Sequence, residues 1–144
     1  MERPANSDNM PHITLLRDHG LRITPQRLAI SALLLAEPAH STPQQVYETL
    51  RHGFPALSLN TVYLTLAQFE SSGLLQRFQA GGRTIFDSNT APHDHVCCTV
   101  CGMISDIQKP DRPQLPLPLS QWKISGESHT WTGICPDCLA RQNQ

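Results

Sequence analysis

Residues 58–87 read SLNTVYLTLAQFESSGLLQRFQAGGRTIFD, a capped helix followed by a hairpin, and that order decides the fold. Ser58 offers the hydroxyl of an N-cap, and Val62, Leu66 and Phe69 recur at helical spacing, so they share one side. Gly73 marks the end of this helix. Beyond it, Leu74 to Phe78 and Arg83 to Asp87 flank Gly81-Gly82, a pair suited to a two-residue turn whose central positions both take positive φ.

Upstream the same punctuation repeats. A short helix through Ile13, Leu15 and Leu16 is expected to stop at His19-Gly20. Thr24-Pro25 reads as N-cap and N1 proline of a second helix, carrying Leu28, Ile30 and Leu33 to Leu35 and halting before Pro38. Thr42-Pro43 opens a third, with Gln45 at N3 completing a capping box and Val46, Tyr47 and Leu50 on its buried side until Gly53. Three helices, a further capped helix and a hairpin are the order of a winged helix-turn-helix, whose last helix enters the major groove while the hairpin reaches the flanking backbone. A small α+β unit with no nucleic acid has the same order. What favours DNA is the outer face of the Ser58 helix, where Asn60, Thr61, Tyr63 and Thr65 offer uncharged hydrogen-bonding groups in place of the Lys and Glu of a merely solvated face. Arg77 and Arg83 on the hairpin are candidates for phosphate or minor groove, a solvated surface arginine being the plain alternative.

Charge does not drive such binding. The chain of 144 residues has a net charge of −1, its only lysines are Lys109 and Lys123, and residues 1–88 are neutral. Shape and a few placed contacts would have to suffice. No apolar run approaches membrane length, and Met1 to His12 is polar with no signal-peptide core, so a cytoplasmic location is expected.

Residues 88–94 read as a linker between a DNA-binding domain over 1–87 and a second domain over 95–144. In the second, Val96 to Val100 and Met103 to Gln108 are predicted as paired strands, and Trp122 to Ser128 with Thr130 to Ile134 as a returning pair. Between them Pro110, Pro113, Pro116 and Pro118 forbid a long helix.

Cys98-x-x-Cys101 and Cys135-x-x-Cys138, with 33 residues between them, frame a four-thiolate cradle. Each turn lets two sulfurs face one point, and Gly102 supplies the backbone freedom of a tight knuckle, so four thiolates can close around Zn²⁺ at roughly 2.3 Å. Such a closed site is structural and does no hydrolysis itself. Two disulfides would need an oxidising compartment, and a redox-active C-x-x-C would be single and sit at a strand-to-helix turn. Cys97 would leave a three-residue gap to Cys101 and reads as a packed strand cysteine, with a spare ligand or oxidisable thiol as the other reading.

His93 and His95 are one residue apart and point to the same side of an extended segment, so two imidazoles can share an ion. Asp106 after the first knuckle and Asp87 at the end of the hairpin can add carboxylate oxygen, and His40, in the loop between two helices, is a further candidate. Three nitrogens and two oxygens make a harder site than the sulfur cradle, suited to Fe²⁺ or Mn²⁺ as well as Zn²⁺. A lone loop histidine is more often a surface residue. A zinc deaminase would need H-x-E where this chain has His93-Asp94-His95.

With these residues in view, the chain resembles the ferric uptake regulator family over nearly its whole length. The resemblance runs from Gly20-Leu21-Arg22-Ile23-Thr24-Pro25-Gln26-Arg27 through Phe54-Pro55, Thr61-Val62-Tyr63, Gly73-Leu74, Phe86-Asp87 and His93-Asp94-His95 to both cysteine pairs. It implies a winged-helix DNA-binding domain, a hinge and a zinc-stabilised α/β dimerisation domain, in a homodimer that represses genes when metal-loaded. It also implies a sensing site at His40, Asp87, His93, His95 and Asp106. Aspartate at 106 is similar to the peroxide-sensing branch, whereas iron-uptake regulators usually place glutamate there. An extra site in some members uses histidine and glutamate where this chain has Pro92, Pro113 and Glu127, leaving only Asp94. Leu64 replaces a polar residue that in relatives helps to read bases, and the proline-rich segment stands where a helix is usual.

The expectation is therefore a metal-dependent homodimeric repressor of palindromic operator DNA, with no catalytic residues, in which one ion clamps reader to dimeriser and peroxide oxidises a ligand. An iron- or zinc-uptake regulator on the same scaffold is the near alternative. A metal-carrier or redox-thiol protein without DNA binding is the distant one.

Overall fold

The computed structural model describes residues 10–36, 40–109 and 116–144. The chain divides into two compact units between Thr90 and Ala91. The helix stop at Pro38, with Pro110 and Pro113 of the proline-rich stretch and most of the polar Met1 to His12 segment, lies outside the described residues.

The first unit holds four helices, α1 (Met10–Asp18), α2 (Pro25–Leu35), α3 (Pro43–Leu50) and α4 (Leu59–Ser71), and three strands, β1 (His40–Ser41), β2 (Gln76–Ala80) and β3 (Arg83–Asp87). The caps are made as the sequence dictates. Thr24 Oγ1 accepts from Arg27 N at 3.2 Å, Thr42 and Gln45 form a reciprocal capping box, and Ser58 Oγ accepts from Thr61 N at 3.0 Å. Each satisfies backbone donors that would otherwise stay unpaired. Gly73 ends α4 at φ 85°, and Gly81 and Gly82, at 59° and 72°, make a turn that residues with a Cβ rarely adopt.

Leu16, Ile30, Leu34, Val46, Val62, Leu66, Phe69 and Phe86 are at most 1% exposed and form one cluster. Phe69 projects from α4 into that cluster, so Phe69→Ala is expected to destabilise this unit by ~3–5 kcal/mol. The sheet runs β1-β3-β2, all antiparallel. Strand β1 was not expected. His40 is no loop residue but a strand residue paired in register with Asp87.

The second unit holds, among its described residues, β4 (Asp94–Cys98), β5 (Ile104–Ile107), β6 (Thr130–Gly133) and α5 (Pro136–Gln142), with a 3₁₀ turn at Leu117–Leu119. β4 is central, antiparallel to β5 and parallel to β6. Trp122 to Ser128, expected as a strand, form none, and β6 runs beside β4 and does not return on its neighbour. Helix α5 was also not expected.

This unit has little aliphatic core. Among its described residues the buried ones are Asp94, His95, Cys97, Cys98 and Cys138, while Val100, Met103, Trp122, Ile124, Trp131 and Leu139 are each at least 39% exposed. A piece this small that buries thiols and polar groups in place of aliphatics needs a staple or a covering partner. No helix among the described residues is long and apolar enough to cross a membrane.

Candidate metal centres

The sulfur centre is built by two tight turns. Cys98 ends β4, and the chain reverses through Gly102, at φ 75°, whose N–H donates to Cys98 O at 3.0 Å. That turn brings Cys101 back beside Cys98. Cys135 is the N-cap of α5, and Pro136 at N1 starts the helix so that Cys138 falls in its first turn. The four Sγ atoms lie within 4.8 Å of one another, with Cys101 and Cys135 at 3.9 Å. A tetrahedron with ~2.3 Å metal–sulfur bonds has edges of ~3.8 Å, so these residues fit Zn²⁺.

The electrostatics are uneven. The backbone N–H groups of Cys101 and then of Cys135 pull the Cys98 thiol down from 9.0 to about 6. The Cys135 N–H lies 3.3 Å from Cys98 Sγ. Cys138 is pushed up to about 12, first because it donates to the Cys135 sulfur and then by burial. Without an ion, negative charge settles on Cys98 and the last proton on Cys138. Cys97 is buried on the other face of β4, its Sγ 3.7 Å from Cys98 O, and is not among the four sulfurs brought together.

The harder donors are arranged by strand register. In the second unit His95 and Asp106 are Cα partners across β4 and β5, which sets carboxylate against imidazole. His93, two residues before His95, shares its face. His93 Nε2 and His95 Nε2 are 2.9 Å apart, and they stand 3.2 and 3.5 Å from Asp106 Oδ1. The His93 Nδ1 lies 2.6 Å from Ala91 O, so Nδ1 carries the proton and Nε2 presents a lone pair to this triangle. Two imidazole nitrogens and a carboxylate oxygen at ~3 Å spacing fit one face of a six- or five-coordinate divalent ion with bonds near 2.1 Å.

In the first unit the register makes a second such pair. His40 opposes Asp87, with Nε2 3.5 Å from Oδ2. Asp87 is fully buried and its Oδ1 accepts from Asn89 N at 2.8 Å, which fixes the carboxylate plane. The orienting roles of Ala91 O and Asn89 N–H escaped the sequence reading, because backbone groups leave no residue-type signal.

On α4, Asn60 and Tyr63 are exposed and Thr61 half-buried. Thr65 is corrected: it is 7% exposed and belongs to the buried side. It sits three residues after Val62 and four before Phe69, so helical spacing places it in the apolar stripe. Ser58 is committed to its cap. Arg83 is exposed, whereas Arg77 Nε lies 3.4 Å from Glu70 Oε2, so its charge is already engaged on the surface.

Known proteins resemble this chain over most of its length. The model of the ferric uptake regulator family matches residues 18–130. The chain is 35% identical over 130 residues to the peroxide-responsive repressor PerR of Staphylococcus saprophyticus, covering 88% of each chain. It is 36% identical over 132 residues to the peroxide operon regulator of Bacillus subtilis, covering 89% of this chain and 91% of that one. Among solved structures, the Vibrio cholerae ferric uptake regulator matches with a TM-score of 0.64 at 26% identity, over 86% of this chain and 99% of that chain. PerR from Streptococcus pyogenes, solved as the structural basis for its peroxide sensing and gene regulation, matches with a TM-score of 0.51 at 26% identity, over 96% and 97%. This chain belongs to the ferric uptake regulator family.

Proposed function

We infer that this chain is a metal-dependent homodimeric repressor in the cytoplasm that binds palindromic operator DNA and releases it in response to peroxide. The observation that carries the reading is the His93–His95–Asp106 triangle, whose two imidazole nitrogens lie 2.9 Å apart with a carboxylate beside them. Two imidazoles and a carboxylate converging this closely suit a shared cation. The peroxide-responsive relatives support the signal.

His93, His95 and Asp106 would hold one side of a divalent ion, and His40 with Asp87 the other. One ion would then tie the DNA-reading unit to the dimerising unit, favouring the arrangement in which two α4 helices sit about one helical turn, ~34 Å, apart on DNA. The exposed apolar groups of the second unit, Trp131 and Met103 among them, would be covered by a second copy. Cys98, Cys101, Cys135 and Cys138 would hold structural Zn²⁺ and do no sensing.

Bound Fe²⁺ would supply the redox chemistry by which peroxide transfers one oxygen atom to a ligand imidazole and leaves as water; Mn²⁺ or Zn²⁺ there would not. Ala91 O fixes the His93 tautomer, and Asn89 N–H fixes the Asp87 carboxylate, so the donors are aimed before an ion arrives. The test is elemental analysis of anaerobically purified protein, with operator binding and mass spectrometry before and after peroxide. Expected are zinc matching the chain, a second metal, and loss of operator binding together with an added oxygen on His40 or His93. Operator binding that survives peroxide with no mass change would leave an iron- or zinc-uptake regulator.

A further inference from the structure

Helix α4 contains no Arg or Lys, and its one charged residue, Glu70, lies in the last turn. The commonest base-specific contact, a bidentate cation on guanine O6 and N7, is therefore unavailable from this helix. At the centre of its exposed side stands Leu64, 54% exposed, beside Tyr63 at 40%. The core on the opposite side is complete without it, since Val62, Leu66 and Phe69 are fully buried. Thr61, three residues earlier on the same side, has its hydroxyl 2.8 Å from Ser58 Oγ, held back toward the start of the helix. Leu64 and Thr61 line one groove of about 270 Å³ with Gln68, Arg27 and Thr24.

A single exposed leucine is ordinary. A leucine in the middle of a face that lies against base edges is not, because it would cover their donors and acceptors and satisfy none. The apolar group that a base edge offers in the major groove is the thymine C5-methyl. We propose that Leu64 is a specificity-determining residue, packing against the methyl group of one thymine in each operator half-site. This rests on α4 being the DNA-reading helix, as inferred above.

The test starts from a random duplex library selected with the full-length protein loaded with Mn²⁺. Each thymine of the enriched half-site is then replaced by deoxyuridine, which removes only the methyl. For the unaltered protein, replacement at one position, made in a single half-site, is expected to weaken binding about fourfold, the value of one buried methyl. In Leu64→Ala the same replacement should have no effect, and Leu64→Arg should select guanine at the neighbouring position. Equal sensitivity to uracil in the parent protein and Leu64→Ala, or none at any position, would overturn the proposal while leaving operator binding intact. If no sequence is enriched at all, the operator reading itself fails, and the role of Leu64 with it.

Discussion

His40 and Asp87 face each other across β1 and β3, direct partners in the antiparallel register, with the imidazole 3.5 Å from a fully buried carboxylate. The second unit repeats the device, since His95 and Asp106 are direct partners across β4 and β5. In both, strand pairing sets an aspartate against a histidine. A one-residue slip in either register would turn the aspartate to the opposite face and remove it from its histidine.

Asp87→Asn keeps the shape of that pair and removes its charge. The substitution is expected to lower affinity for the regulatory ion at least as much as loss of a supporting group does, ~10–100-fold, while the zinc content stays unchanged. Titration with Mn²⁺, followed by paramagnetic resonance, measures it. Unchanged Mn²⁺ affinity would remove Asp87 from the ligand set.

Cys98→Ser should act on a different part of the molecule. The second unit has almost no aliphatic core, so loss of a thiolate ligand is expected to release zinc and unfold that unit, while the helices of the first unit persist. Circular dichroism, zinc analysis and sedimentation separate these effects. A folded, zinc-free dimer would show that the sulfur cage is not structural.

Zinc retention by the folded protein should strengthen as pH rises. Cys138 is held protonated up to about 12, and that proton must leave before its sulfur can bind, whereas Cys98 is already a thiolate above about 6. Each displaced proton makes apparent affinity rise up to about tenfold per pH unit. Competition with a chelator between pH 6 and 8 reads the slope, and a flat profile would contradict the placement of that proton.

The helical half of the fold was legible because its signals are local. Thr24, Thr42 and Ser58 each sit three residues before the backbone N–H they cap, and Gly81-Gly82 requires a turn whatever surrounds it. The missed elements lack such signals. β1 is two residues long and carries no period, and α5 begins at a cysteine that makes no side-chain cap. Trp122 to Ser128 has strand-like alternation but finds no ladder partner, because β6 takes the edge of β4 in parallel. Thr65 was misplaced because its hydroxyl suggested an outer face while its position in the helical repeat put it inside.

The candidate ligands were legible as residue types at short spacing, His93 and His95 above all. Their pairing was not, because which aspartate meets which histidine depends on register between strands distant in sequence. The orienting groups were invisible for a simpler reason: a carbonyl at Ala91 or an N–H at Asn89 exists whatever the side chain.

The most direct test of the clamp is operator affinity of the zinc-loaded parent protein and of zinc-loaded His93→Ala, each measured without and with Mn²⁺. Loading should tighten binding by the parent roughly 5- to 150-fold, the usual range of coupling between two sites. His93→Ala should keep its fold and its zinc and show no gain. An equal gain in His93→Ala would contradict the claim that an ion at this site joins the two units.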